Sequence, residues 1–248
     1  MPGAALITGA ARRIGRALAV EAARAGHDIA IHHRDSPEDA ELTAALVRAE
    51  GRAAVVLSGD LEQPDVAALV DEATDALGPL TLLVNNASLF LDDRLETFTA
   101  GDFESQMAIN VRAPLLLAQA FAGRLPVGRQ GLIVNILDQR VWRPNPLFFG
   151  YSVSKAALWH ATRTMAQALA PRTRVNAIGP GPTLASVHQK PGEFEAEVAG
   201  TPLARPVTPE DVARALRYLI DAPTVTGQMI AVDSGQHLAW RTPDIIDP

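Results

Sequence analysis

Thr8-Gly9-Ala10-Ala11-Arg12-Arg13-Ile14-Gly15 follows the apolar run Ala4–Ile7 and opens a stretch, residues 13–25, that carries Ile14, Ala17, Leu18 and Ala22 on one helical stripe. A strand, a glycine-bearing turn and a helix in that order form the context of a dinucleotide-binding turn. Glycine lets the backbone come close to a pyrophosphate, whose charge the helix N-terminus favours. Gly9 and Gly15 supply that freedom here, and Gly26 closes the helix as its C-cap. Taken alone, the turn is also compatible with an ordinary strand-to-helix connection bearing surface arginines. Arg13 stands where many such turns carry a glycine, and a cation there can reach a phosphate or another anion.

Outward from this turn the chain alternates. β-rich runs at residues 4–7, 28–32, 53–57, 80–84, 131–136, 174–178 and 228–232 are separated by longer helical stretches. Pro64, tolerated in a first helical turn, is expected to open one of these, with Val66, Leu69, Val70 and Leu77 as its apolar side. Strands such as Leu82-Leu83-Val84 are apolar without interruption, so they are expected to be buried on both faces. The pattern predicts a Rossmann-type α/β fold: a doubly wound, seven-stranded parallel sheet with helices on both faces. The 248 residues, 48% of them hydrophobic, suffice for one core, so residues 1–248 are read as a single domain. Residues 180–206 break the rhythm with prolines and little periodicity outside 193–198, and are read as a substrate lid at the carboxyl end of a strand. The 240–248 tail carries no reading of its own.

Charge and composition narrow the partners. A net charge of -6 argues against a nucleic-acid binder, and the absence of cysteine excludes disulfides and thiol catalysis. Arg12-Arg13 is not a twin-arginine signal, because Arg16, Glu21 and Arg24 interrupt the apolar segment that such a signal needs. No uncharged apolar run approaches the roughly 18 residues of a membrane span. The expectation is a cytoplasmic protein with a small-molecule substrate, no nucleic-acid partner and no membrane.

His32-His33-Arg34 ends the second strand, where a carboxylate would select a free ribose 2′-hydroxyl and cations a 2′-phosphate. His33 and Arg34 therefore point to NADP(H), with Asp35 keeping an NAD reading open. Adjacent strand histidines face opposite ways, so no metal site is expected. Asp60 is read as an adenine contact or, equally, as the N-cap of Asp60-Leu61-Glu62-Gln63. Far downstream, Tyr151 and Lys155 are four residues apart on a predicted helix and share a face. An ammonium beside the phenol is expected to lower its pKa and make Tyr151 a usable acid. Asn86-Ala87 after the fourth strand, Asn110 in the next helix and Asp138 after the fifth fall where further parts of such a site belong.

These motifs together resemble the short-chain dehydrogenase/reductase family, from Thr8-Gly9 to Val232-Asp233-Ser234-Gly235. The resemblance implies a tetrad of Asn110, Asp138, Tyr151 and Lys155, with aspartate in place of the family's serine. It further implies cofactor contacts at Gly9, Arg13, Ile14, Gly15, His33, Arg34, Asp60, Leu61, Asn86, Ala87, Tyr151, Lys155, Pro180 and Gly181. The aspartate, Arg13, His33-Arg34 and Asn86-Ala87-Ser88-Leu89-Phe90 look like the pteridine reductase branch. In that branch Arg13, Ser88, Phe90, Asp138 and Tyr151 hold the pterin, Phe90 by stacking. Residues read without the resemblance leave Phe90 as a buried strand-end residue and Asp138 as a turn former. The expected function is NADPH-dependent reduction of a dihydropterin, of the dihydrobiopterin or dihydromonapterin type or dihydrofolate, to the tetrahydro form. A short-chain carbonyl reductase and a non-catalytic cofactor-binding regulator stay open as alternatives. The family also implies a homotetramer paired through residues 101–123 and 151–169. Gln139-Arg140-Val141-Trp142-Arg143 is unusually cationic and bulky, suited either to an anionic tail or to a subunit interface.

Overall fold

The computed structural model describes residues 3–186 and 189–240. Its sheet contains β1 (Ala4–Ile7), β2 (Asp28–His33), β3 (Ala54–Ser58), β4 (Leu80–Asn85), β5 (Gly131–Ile136), β6 (Thr173–Pro180) and β7 (Met229–Val232). All neighbours are parallel and the order is β3-β2-β1-β4-β5-β6-β7. The direction of winding reverses between β1 and β4, which opens a crevice at the carboxyl ends of these two strands.

Side-chain alternation divides the core between the two faces. Ala5, Ile7, Ile29, Ile31, Leu82 and Val84 join a cluster with Leu18, Ala22, Ala44 and Leu216 from α1 (Arg13–Arg24), α2 (Pro37–Ala49) and α8 (Pro209–Asp221). Ala4, Leu6, Ala30, Leu83 and Ile133 join Val70, Leu117, Phe121 and Ala166 from α3 (Ala68–Leu77), α5 (Ala113–Arg124) and α6 (Phe149–Leu169). Apolar residues on both faces explain the unbroken hydrophobic runs. Each leucine or isoleucine fully withdrawn from water contributes roughly 1.5–3 kcal/mol against the entropy of ordering the chain. This two-sided burial fixes the strand ends from which the site residues emerge.

Several boundaries differ from the sequence expectation. The helix expected from Pro64 begins at Ala68, because successive i→i+3 bonds (Ala68 N to Asp65 O, Leu69 N to Val66 O) wind residues 65–70 more tightly than an α-helix. The stretch 101–123 is interrupted: α4 (Ala100–Met107) passes through a π-helical turn, Ala108–Arg112, before α5 starts. Within 180–206, the stretch expected as a lid, one short helix, α7 (Glu193–Ala199), stands where the periodicity lay. Val187 and His188 of the lid, and residues 241–248 of the tail, lie outside the described residues.

Candidate active site

The crevice has a turn end and a buried end. At the turn end a cleft of about 420 Å³ is lined by Gly9, Arg13, Ile14, Gly15, His33, Arg34, Asp60, Leu61, Asn86, Ala87 and Ser88, so the structure brings most of the expected cofactor residues together. Gly9 adopts φ +61° and Arg13 φ +53°; the second is a left-handed conformation that a non-glycine residue rarely holds. Gly15 has no room for a side chain, since a Cβ there would sit 2.1 Å from the Gly9 carbonyl oxygen and 2.7 Å from Asn86 Nδ2. Asn86 fastens the turn to β4 by donating Nδ2 to the carbonyls of Thr8 (2.9 Å) and Gly9 (3.0 Å). Thr8 Oγ1 accepts from the amides of Asn86 and Ala87 in return. Arg13 leans toward the 180–206 stretch, its Nη2 donating to the Leu184 and Ala185 carbonyls at 3.4 Å.

Sequence reasoning missed the part played by His32, which lines the same cleft from below. Its ring accepts the Gly9 amide on Nδ1 at 3.2 Å, so the proton resides on Nε2 and is donated to the Gly59 carbonyl at 3.1 Å. Burial holds the imidazole down to a pKa of about 4, against the opposing pull of the Gly59 carbonyl. A neutral histidine thus ties the turn to the β3 end. Beside it, Arg34 is exposed and paired with Asp35 at 2.6 Å. Asp60 caps a local turn by accepting the Glu62 amide at 3.0 Å, not a helix, since α3 begins eight residues later.

At the buried end, Asp138, Tyr151 and Lys155 come together from the end of β5 and the start of α6. The Tyr151 hydroxyl donates to Asp138 Oδ2 at 3.1 Å, while the Arg140 amide donates to Oδ1 at 2.8 Å. Burial pushes the Asp138 carboxyl up, opposed first by the Arg140 cation. Burial and then the Asp138 charge raise the Tyr151 phenol well above its ordinary value, again opposed by Arg140. Here the sequence expectation is corrected. Lys155 Nζ donates to the Ile136 carbonyl at 2.8 Å and lies 5.5 Å from the centre of the Tyr151 ring, and burial lowers its own pKa to about 8. The cation that counters the burial of the phenol is Arg140. Asp138 and Tyr151 therefore both retain protons to higher pH than such groups do in water.

Asn110 couples the two ends. It stands in the π-helical turn, fully buried, and its Nδ2 donates to Leu89 O and Ser154 Oγ, both at 2.9 Å. Its Oδ1 accepts the Leu89 amide at 2.8 Å and the Ser88 hydroxyl at 3.1 Å. Ser154 in turn donates to the Tyr151 carbonyl at 2.7 Å. Phe90, projecting into this region, stacks on Phe148 with centroids 4.2 Å apart and meets Tyr151 edge-on at 4.7 Å. Asp93, for which the sequence offered no signal, accepts the Gly150 amide at 3.1 Å and Gln106 Nε2 at 3.0 Å, and so pins the N-terminus of α6 just before Tyr151. Pro180 ends β6 and Gly181 follows it, both outside the lining of the turn-end cleft, and a Cβ on Gly181 would lie 2.7 Å from Asp233 Cα.

This geometry combines an anion-ready turn with a desolvated proton-bearing pair, as a hydride-transfer site requires. Residues 9–237 match a family model described as enoyl-(acyl carrier protein) reductase. The chain is 31% identical to a glucose 1-dehydrogenase of Gluconobacter oxydans, with 93% of this chain and 90% of that protein covered. It is likewise 31% identical to a 3-oxoacyl-[acyl-carrier-protein] reductase of Synechocystis, with 93% and 95% covered. Among solved structures, FolM alternative dihydrofolate reductase 1 from Brucella canis, complexed with NADP, superimposes with a TM-score of 0.94 at 48% identity, covering 99% of this chain and 97% of that one. With the matching sheet order and the span of these alignments, the chain belongs to the short-chain dehydrogenase/reductase family.

Proposed function

We propose that the protein reduces the C=N bond of a dihydropterin, of the dihydrobiopterin, dihydromonapterin or dihydrofolate type, to the tetrahydro form with NADPH. The observation that carries this reading is the half-buried Asp138 carboxyl 3.1 Å from the Tyr151 hydroxyl. A serine suffices to hydrogen-bond a ketone oxygen, whereas a ring nitrogen requires a proton from a group able to release one. The 48% identity to the Brucella proteins complexed with NADP supports the same reading.

The turn end suits the cofactor. The first turn of α1 has no side-chain cap and no acidic residue, which leaves its amides and the neighbouring Arg12 and Arg13 to meet phosphates. His33 and Arg34 would take a 2′-phosphate, and Asp35 is already held by Arg34. When bound, NADPH supplies the hydride that the substrate carbon accepts. Tyr151 releases its hydroxyl proton to the adjacent nitrogen, and Asp138 returns a proton to the phenolate across their hydrogen bond. Solvent then restores the proton of Asp138, so each turnover consumes one hydride, which carries both electrons, and one net proton. Asn110 and Asp93 act by position: the first locks Leu89 to α6, and the second fixes the N-terminus that presents Tyr151. Ser88 and Phe90 would hold the pterin ring, with Arg13 at its edge.

A carbonyl reductase is the second reading, favoured by the similarity to the Synechocystis and Gluconobacter enzymes. Ranking kcat/KM with NADPH over dihydropterins, dihydrofolate, quinonoid forms and simple ketones tests the proposal, and a preference for ketones would overturn it. Tight NADPH binding without turnover on any of them would instead favour a non-catalytic regulator. We also propose a cytoplasmic homotetramer paired through residues 101–123 and 151–169, a reading supported by the exposed Leu115 and Val153 on those helices. Among the described residues no helix is long and apolar enough to cross a membrane. Light scattering on the purified protein checks the tetramer, and a monomeric mass would sink it.

A further inference from the structure

We propose that Arg140 is a specificity-determining residue that selects substrates bearing a carboxylate, an inference that rests on the pterin reading and assigns such substrates to the folate class. The guanidinium stands beside the aromatic end of the site, 4.9 Å from the centre of the Phe148 ring and 5.9 Å from that of Phe90. Its Nη1 is buried and has no hydrogen-bond partner among the described residues. An orphaned donor of this kind marks a place where a ligand atom is expected, because an unsatisfied buried donor is costly.

The ring beneath it is held deliberately. Phe148 has φ +54° and ψ +56°, a left-handed conformation that a bulky residue reaches only at a cost, and this turn delivers its ring to the stack with Phe90. Arg94 approaches the same ring at 5.8 Å, but it is already paired with Asp92 at 2.6 Å. No carboxylate among the described residues lies within 4.0 Å of the Arg140 guanidinium. The nearby Asp138 receives the Arg140 amide and the Tyr151 hydroxyl, and burial favours its neutral form. Among the described residues Arg140 therefore forms no salt bridge and brings its charge, felt by Asp138, to the substrate end of a protein whose net charge is -6. The planar donor array of a guanidinium matches a carboxylate in two-point geometry, which a neutral side chain on the substrate does not reward.

The test compares wild type, Arg140→Met and Arg140→Lys with NADPH on 7,8-dihydrofolate, whose glutamyl tail carries carboxylates, and 7,8-dihydrobiopterin, whose side chain is uncharged. The ratio of kcat/KM for dihydrofolate to that for dihydrobiopterin is expected to fall at least about tenfold in the methionine variant, through KM, with lysine intermediate. A ratio unchanged in the methionine variant would overturn the proposal. Should that variant not fold, wild type alone decides through ionic strength. Screening a local Arg140 contact raises KM for dihydrofolate, whereas screening the repulsion from the net negative charge lowers it, and a fall would overturn the proposal. If wild type reduces neither pterin, the pterin reading fails separately. Arg140 is then judged on a 2-oxo acid against its methyl ester: loss confined to the acid sustains its role, and equal loss removes it.

Discussion

The two ends of the crevice solve opposite problems. At the turn end, recognition is left to exposed groups, the Arg34–Asp35 pair and uncapped amides, over a buried scaffold in which His32 and Asn86 hold the backbone. At the other end the chemistry is withdrawn from water: Tyr151 and Lys155 are buried and Asp138 half-buried, and each is shifted from its ordinary pKa by that burial. Water weakens what happens at the first end and reaches the second only at the rim of Asp138. Single substitutions should therefore tune selectivity at the turn end, and abolish turnover or folding where a buried group is touched.

The largest expected effect tests whether the turn is stabilised from beneath. Folding lowers His32 from 6.5 to about 4, so its contribution is present above pH 6.5 and lost as pH falls toward 4, about 3 kcal/mol in all as an order of magnitude. Urea unfolding of wild type and His32→Asn at pH 7, 5 and 4 should show a flatter acid dependence in the variant. His27, held down to about 4 in the same way, keeps its own share in both proteins. Identical slopes would mean that His32 does not brace the turn.

Tyr151→Phe asks whether the buried end is catalytic. Turnover should drop by roughly 10²-fold or more while NADPH binding, followed by its fluorescence, persists. Near-normal turnover would place the acid elsewhere. Asp138→Ser should lower pterin kcat/KM by at least about tenfold and spare ketones. Because folding raises the Asp138 pKa, its proton is present below the ordinary carboxylate range and is lost only as pH rises through the raised value. Pterin turnover that depends on it declines over that rise, and the serine variant should lack this limb. Unchanged pterin kinetics would reduce Asp138 to a turn residue.

The smallest effect belongs to the exposed reader. A hydrogen bond to a phosphate is worth about 1.5–3 kcal/mol, but Arg34 is solvent-screened and must leave Asp35 to make one. Arg34→Ala should therefore weaken NADPH by about three- to tenfold and NADH very little. Equal losses for both cofactors would break the contrast drawn between the two ends.

Legibility followed the same division. The seven strands and both core faces were readable because apolar periodicity is local, and Gly9 and Gly15, like Asn86-Ala87, because each short motif is contiguous. Tyr151 and Asp138 were readable as residues, but the balance of charge around them was not. Which cation opposes the burial of the phenol depends on where Arg140 folds back, and a sequence does not state that. Asp93 and Ser154 escaped for the same reason: their partners lie 57 and 44 residues away. His32 was noticed for its neighbours, whereas its own bonds run to Gly9 and Gly59, in two other strand ends.

The π-helical turn at Ala108–Arg112 sets a limit on how this chain can vary in length. A π turn accommodates one more residue than the α turn it replaces, so the positions of α5 that meet the sheet are shifted by one along the sequence from those α4 alone would continue. Deleting a single residue there would close the turn to α geometry with α4 and α5 still facing as before, because about four α residues turn as far as about five π residues. Phe121 and Leu117 would keep the core they fill, but Asn110 would lose the Leu89 backbone it grips. Helical circular dichroism could survive such a deletion while turnover vanished. The loops of this protein can lengthen by drift, but in this one turn its residue count is part of the instruction.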